Sequence, residues 1–168
     1  MSTMRAAVVT GPGALEVREV PRPTPGRGQV RVRLEGCGVC GSNLPLWEGR
    51  PWLRYPVEAG APGHEGWGRV ESVGPGADEA LLGARVAVLS YHAYAEYDVA
   101  DAGHVVPLPA ALEAQPFPGE ALGCVMNIFR RSDIRPEQWV AIVGAGFLGT
   151  LLVQLAARTG ARVIAISR

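Results

Sequence analysis

Cys40 stands in the run Gly36-Cys37-Gly38-Val39-Cys40-Gly41-Ser42-Asn43, and after 23 intervening residues comes Gly63-His64-Glu65-Gly66. A thiolate and an imidazole are ligands that zinc favours, and the flanking glycines let the backbone turn so that both side chains point inward. A lone cysteine reads as a small buried hydrophobe and a lone histidine as an ordinary core or surface group. Two such residues in matching glycine frames point instead to one metal centre. Glu65, beside the histidine, can bind a metal directly, orient water there, or serve as a buried acid behind the ligands. Cys37 completes a Cys-x-x-Cys spacing, but no thioredoxin-like βαβ pattern surrounds it, so it reads as structural. Three cysteines, Cys37, Cys40 and Cys124, with no secretory signal ahead of them favour thiol or metal chemistry over a disulfide framework.

A second cluster, Gly144-Ala145-Gly146-Phe147-Leu148-Gly149, has the Gly-x-Gly-x-x-Gly spacing. It follows an apolar run at 139–143 and opens a stretch with Leu148, Leu151, Leu152 and Leu155 on one helical face. Gly160 can close that helix before a second apolar run at 163–166. Strand, glycine turn, helix, strand is the context that makes the spacing a dinucleotide-binding fingerprint. Gly144 makes the tight turn, Gly146 permits backbone approach to a pyrophosphate, and Gly149 allows close helix packing. Phe147 and Leu148 begin the helix whose N-terminus favours phosphate charge. Where an NAD enzyme places a carboxylate against the ribose, this chain has Ser167 and then Arg168, a cation suited to a 2′-phosphate, so NADP is favoured over NAD.

The elements that must position these groups change character along the chain. Residues 6–10, 15–20, 29–36, 68–73 and 85–89 are short β-branched runs separated by glycine and proline, and Val30-Arg31-Val32-Arg33-Leu34 alternates as a half-buried strand does. That pattern implies a compact, irregular, mostly β barrel. Past Pro116 the period becomes helical: Leu122, Val125, Met126 and Phe129 share one face of a helix expected at about 118–132. The wholly apolar run 139–143 has the form of a parallel strand buried on both faces. The expected domains are 1–116, all-β, and 117–168, a connector helix followed by the first βαβ unit of a Rossmann fold.

Composition narrows the classes further. Sixteen basic residues balance sixteen acidic ones, and no basic block or helix face stands out, so nucleic acid and anionic membrane are poor partners. No apolar stretch has the length of a membrane span, and the N-terminus lacks a signal-peptide core, so a cytoplasmic setting is expected.

The Cys40 and Gly63-His64-Glu65 segments resemble the zinc-dependent medium-chain dehydrogenase/reductase (alcohol dehydrogenase) superfamily. Its zinc members carry Gly-Val-Cys-Gly-Ser/Thr-Asp and Gly-His-Glu segments in a GroES-like catalytic domain. The resemblance extends over the Gly74-Pro75-Gly76 turn, Gly83-Ala84-Arg85-Val86, Ala95-Glu96-Tyr97 and Val105-Val106-Pro107-Leu108-Pro109 to the glycine-rich turn. It implies a GroES-like barrel ahead of the Rossmann unit and one catalytic zinc. It also implies no structural zinc, because 87–100 contains no cysteine where other members carry a four-cysteine lobe.

The same resemblance assigns the remaining site residues. In the polyol and threonine dehydrogenase branch a Glu-Pro-Leu segment supplies a glutamate ligand, and Glu120-Ala121-Leu122 stands in its place, 24 residues before Gly144. Glu120 is therefore the favoured third ligand, with Cys124 as its rival, and Glu65 is an alternative fourth. Ser42 matches the family hydroxyl that relays the substrate proton. Pro45 falls where many relatives have a relay histidine, and it can neither donate nor shuttle a proton. Asn43 replaces the usual aspartate behind the ligands. His92 and His104 read as surface or loop histidines. Trp47, Trp52 and Tyr55 either line a substrate pocket or pack between loops.

The implied activity is zinc-dependent interconversion of a secondary alcohol or polyol and its ketone with NAD(P)(H). A small-molecule alcohol or ketone is the partner, and a full-length form is expected to be a homo-oligomer. The alternatives are a non-enzymatic zinc-binding GroES-like fragment and a zinc-free quinone or enoyl reductase. Members of the superfamily are longer, so this chain is expected to be truncated and to have little or no turnover alone.

Overall fold

A computed structural model describes residues 2–167, and the chain divides into two compact units, Met1–Glu120 and Ala121–Arg168. In the first unit β1 (Thr3–Gly11) and β2 (Ala14–Pro21) form an antiparallel hairpin closed by Pro12 and Gly13. After β3 (Gln29–Gly38) the chain makes a 3-10 turn at Gly41–Asn43 and a short helix, α1 (Leu44–Glu48). Then follow β4 (Glu65–Val73), β5 (Arg85–Val88), β6 (Tyr97–Asp101) and β7 (Val105–Pro107). Strands β3 to β7 pair antiparallel in the order β6-β3-β4-β5-β7.

The alternation around Val30 sets the core. Val30 and Val32 are fully buried, and Val70, Val86, Val88, Ala100 and Val105 join them in one cluster. Both edge strands, β6 through Ala100 and β7 through Val105, contribute to that cluster. One continuous apolar face therefore runs across all five strands, the kind of core that the alternating strand pattern implies. On the opposite face Arg31 pairs with Glu71, its Nε 2.8 Å from Oε2. Arg85 is the buried exception. Its guanidinium pairs with Glu35 at 2.7 Å and donates to the carbonyls of Leu112 and Gln115, which pins residues 112–115 to the sheet.

Two strands go beyond the sequence pattern. β6 carries Asp98 and Asp101, and β7 is three residues ending in Pro107, so neither has the run of β-branched residues that marks an isolated strand. β4 begins at Glu65, three residues ahead of the expected 68, through Gly66 and Gly68. Glycine weakens a strand, but here neighbours need the space: a Cβ on Gly68 would meet the Arg33 carbonyl and the Leu34 backbone.

Helix α2 (Gly119–Arg131) spans the junction of the two units. Ala121 and Val125 are its buried residues, while Met126, expected on the apolar face, is exposed. The second unit continues with β8 (Trp139–Val143), α3 (Phe147–Arg158) and β9 (Arg162–Ile166), with β8 and β9 parallel in register from Trp139↔Arg162 to Val143↔Ile166. This is one βαβ unit. The expectation that its first strand is buried on both faces fails: Trp139 and Val143 on β8 are exposed, as are Ile164 and Ile166 on β9, with α3 packed on the strand pair. Among the described residues no helix is long and apolar enough to cross a membrane.

Candidate metal centre

The pairing of β3 with β4 explains how residues far apart in sequence meet. Cys37 lies opposite Gly66 and Gly38 opposite Glu65, so the end of β3 adjoins the start of β4. Cys40 follows β3 by two residues and His64 precedes β4 by one, which brings both to the same end of the sheet. Their ligand atoms and a carboxylate oxygen of Glu65 all lie within 4.8 Å of one another. Close packing keeps the glycine frames free of side chains. A Cβ on Gly38 would strike the Glu65 carboxylate, and one on Gly63 would strike the backbone of Ala93 and Tyr94.

The protonation pattern suits a cation. His64 Nδ1 is 2.8 Å from the Pro62 carbonyl, which only accepts, so Nδ1 donates there and Nε2 is the nitrogen left to face a metal. Glu65 is 7% exposed, and among the described residues it forms no ion pair. Buried carboxylates are ordinarily paired with a cation or bound to a metal, so a buried carboxylate beside a thiol and an imidazole fits a zinc-type ion.

Behind these groups lies a hydrogen-bonded layer. The Cys40 backbone N–H donates to Asn43 Oδ1 at 3.2 Å, and Asn43 Nδ2 donates to the Pro62 carbonyl at 3.4 Å. The Tyr94 hydroxyl donates to Asn43 Oδ1 at 2.8 Å, with the Gly38 carbonyl as a second acceptor at 3.2 Å. Burial pushes the Tyr94 phenol up to about 12, reinforced by negative charge at Cys37, Glu65 and Cys40. Tyr94 carries no motif signal in the sequence. Its role follows from two neighbouring loops that only the fold brings together.

Ser42 sits in the 3-10 turn, and Pro45 is in the first turn of α1, where a missing N–H costs no helical bond. Ser42, Asn43 and His64 border a cleft of about 630 Å³ that Trp52, Tyr91 and His92 also line. Of the three expected aromatics only Trp52 lines it. The Tyr55 hydroxyl donates to the Leu46 carbonyl, and Trp47 belongs to α1. His92, expected as a surface or loop histidine, is on the cleft wall with Nε2 2.9 Å from Glu58 Oε2, and its backbone N–H donates to the buried Asp98. His104 is exposed beside Asp101. Cys37 is half-buried within β3, its Sγ 3.3 Å from the Gly38 carbonyl, and is not a member of the cluster. Glu120 lies in the first turn of α2 and is likewise not in the group with Cys40, His64 and Glu65; Cys124 is exposed on the same helix.

In the second unit two of the fingerprint glycines, Gly144 and Gly149, have separate physical reasons. Gly144 has φ 95° and its N–H donates to the Ile166 carbonyl at 2.8 Å. A Cβ on Gly149 would collide with the Gly144 carbonyl, whereas the space around Gly146, the N-cap of α3, is open. Phe147 and Leu148 begin α3 and are exposed. Ser167 follows β9 and is exposed; Arg168 lies outside the described residues.

Residues 26–110 match the family model described as the alcohol dehydrogenase GroES-like domain. Over its length the chain is similar to an alcohol dehydrogenase of Geobacillus stearothermophilus, with 33% identity covering 97% of this chain and 58% of the relative. Among solved structures it is similar to a cobalt and zinc bound thermostable alcohol dehydrogenase from Pyrobaculum aerophilum, with TM-score 0.84 and 31% identity over 99% of this chain and 60% of that one. It is also similar to an Escherichia coli alcohol dehydrogenase complexed with NADH, with TM-score 0.84 and 26% identity over 98% of this chain and 57% of that one. The chain thus spans less than two thirds of the length of these relatives.

Proposed function

Because the chain belongs to the alcohol dehydrogenase family with a GroES-like domain, within the medium-chain dehydrogenase/reductase superfamily, we propose that it carries the metal-binding and substrate-facing part of a zinc-dependent oxidoreductase. The reaction is interconversion of a secondary alcohol or polyol and its ketone, linked to a nicotinamide dinucleotide. The observation that carries this reading is the convergence of Cys40, His64 and the buried Glu65 within 4.8 Å at one end of the sheet, at the edge of a cleft.

When bound, a zinc ion supplies Lewis acidity at the substrate oxygen, and the nicotinamide supplies the hydride acceptor or donor. Cys40 and His64 would hold the metal, His64 through the nitrogen that does not face Pro62. Glu65 is the carboxylate beside them, and Glu120 is proposed as a further ligand by its match to the polyol branch. Ser42, on the turn that borders the cleft with His64, is the first group to accept the alcohol proton. Pro45 cannot carry the proton onward, so it leaves by water in the cleft. The polar wall formed by Ser42, Glu58 and His92 suits a hydroxylated substrate, and Trp52 and Tyr91 supply apolar contact. Gly144, Gly146 and Gly149 form the pyrophosphate turn. NADP is preferred because Ser167, rather than a carboxylate, follows β9. The setting is cytoplasmic, a full-length form is an oligomer, and this chain alone turns over weakly or not at all.

Metal content measured by plasma mass spectrometry tests the reading. The expected result is about one zinc per chain, lost in Cys40→Ser. Loss in Glu120→Ala with retention in Cys124→Ser assigns the further ligand to Glu120, and the reverse transfers it to Cys124. A purified chain without zinc, even after incubation with the metal, contradicts the proposal and favours a zinc-free reductase.

A further inference from the structure

Tyr94 is tied at every polar atom to a different part of the first unit. Its backbone N–H donates to the Gly60 carbonyl at 3.0 Å, ahead of the loop that carries His64, and its carbonyl accepts from Ala7 of β1 at 2.8 Å. The neighbouring Ala93 N–H donates to the Gly63 carbonyl at 2.9 Å. The segment is therefore clamped to the histidine loop through its backbone. Its phenol crosses to the other loop, where it meets Asn43 Oδ1 and the Gly38 carbonyl.

Asn43 then links both sides. Its oxygen accepts from the Cys40 N–H as well as from Tyr94, and its nitrogen donates to the Pro62 carbonyl, the same oxygen that accepts from His64 Nδ1. An amide can accept on one side and donate on the other, which an ionised carboxylate cannot. A carboxylate at this position would keep the first pair of bonds, lose the second and set negative charge against a carbonyl.

We propose that Tyr94 is a positioning residue of the metal centre, fixing the amide of Asn43 so that one side chain holds the Cys40 loop and the His64 loop in ligating register. The proposal rests on the reading that Cys40 and His64 bind a metal. It goes beyond that reading by assigning a tyrosine no motif marks, and by reversing the expected effect of aspartate at position 43. Charge alone says that Asn43→Asp should tighten the binding of a dication. The bridge says that it should loosen it, because donation to Pro62 is lost.

Cobalt(II) alone, titrated into the metal-free chain and followed by its sulfur charge-transfer and d–d absorption, separates these effects. Tyr94→Phe and Asn43→Asp are each expected to weaken cobalt binding by about 10 to 100-fold and to alter the d–d bands, as loss of an outer hydrogen bond does. Asn43→Ala combined with Tyr94→Phe should bind no more weakly than Asn43→Ala alone, because the tyrosine acts through the amide. Thermal melting of the metal-free variants shows whether each is folded, and Tyr94→Phe, which loses only a hydroxyl, keeps the test interpretable. Wild-type affinity and spectrum in Tyr94→Phe, additive losses in the double variant, or tighter binding in Asn43→Asp each overturn the proposal. A wild-type chain that binds no cobalt overturns the metal reading itself and this inference with it.

Discussion

Cys37 and Cys40 are three residues apart, yet only Cys40 joins the candidate ligands. Burial, with the negative charges of Glu65 and Asp98, pushes the Cys37 thiol up to about 11 from an ordinary 9.0, against hydrogen bonds from the Glu65 and His64 backbone that pull it down. The folded chain thus holds a proton that the unfolded chain releases at lower pH. This contribution to stability is complete below about pH 9 and is lost as pH rises through about 11. Melting temperature of the metal-free protein should fall over that window, and Cys37→Ala should flatten the fall; an unchanged slope in the variant would contradict the assignment. At this scale the sequence is informative where a residue type is chemically rare. The Cys40 and His64 frames are legible, and the structure leaves Cys37 outside the group they form with Glu65. Tyr94 and His92 are not, because an aromatic or an imidazole in a loop has no signature until the fold supplies its neighbours.

The elements explain why the glycines recur. Gly38 on β3 faces Glu65 on β4 so closely that a methyl group would displace the carboxylate rather than the backbone. The obstacle is the end of a flexible side chain, so Gly38→Ala should cost only about 1 kcal/mol in urea unfolding of the metal-free chain. Zinc affinity should fall severalfold in the same variant if Glu65 contributes to the site; unchanged affinity would remove Glu65 from it. Alternation made β3 legible in the sequence, and helical periodicity did the same for α2 to within a residue at each end. The apolar run at 139–143 coincides with β8. β6 and β7 were not legible, because their residues are selected by sheet partners and by Asp98 holding the His92 backbone rather than by propensity. The start of β4 was hidden for a related reason: Gly66 and Gly68 read as breakers, while the packing around them requires their bareness.

At the scale of the molecule the two units differ in how well they are covered. The first has a continuous valine-rich core drawn from five strands, whereas the second has one helix on a two-stranded parallel sheet with exposed apolar residues. Amide hydrogen exchange should therefore be slow in β3, β4 and β5 and markedly faster in β8 and β9; equal protection in the chain alone would contradict this ranking. The zinc centre is proposed to be complete within the better-covered unit, so it should form without a tight nucleotide site. X-ray absorption at the zinc edge of the metal-loaded chain reads that ligand shell itself. One sulfur at about 2.3 Å is expected, with the remaining nitrogen and oxygen ligands at about 2.0–2.2 Å. A shell with no sulfur, or with two or more, would contradict a centre built from Cys40, His64 and carboxylate.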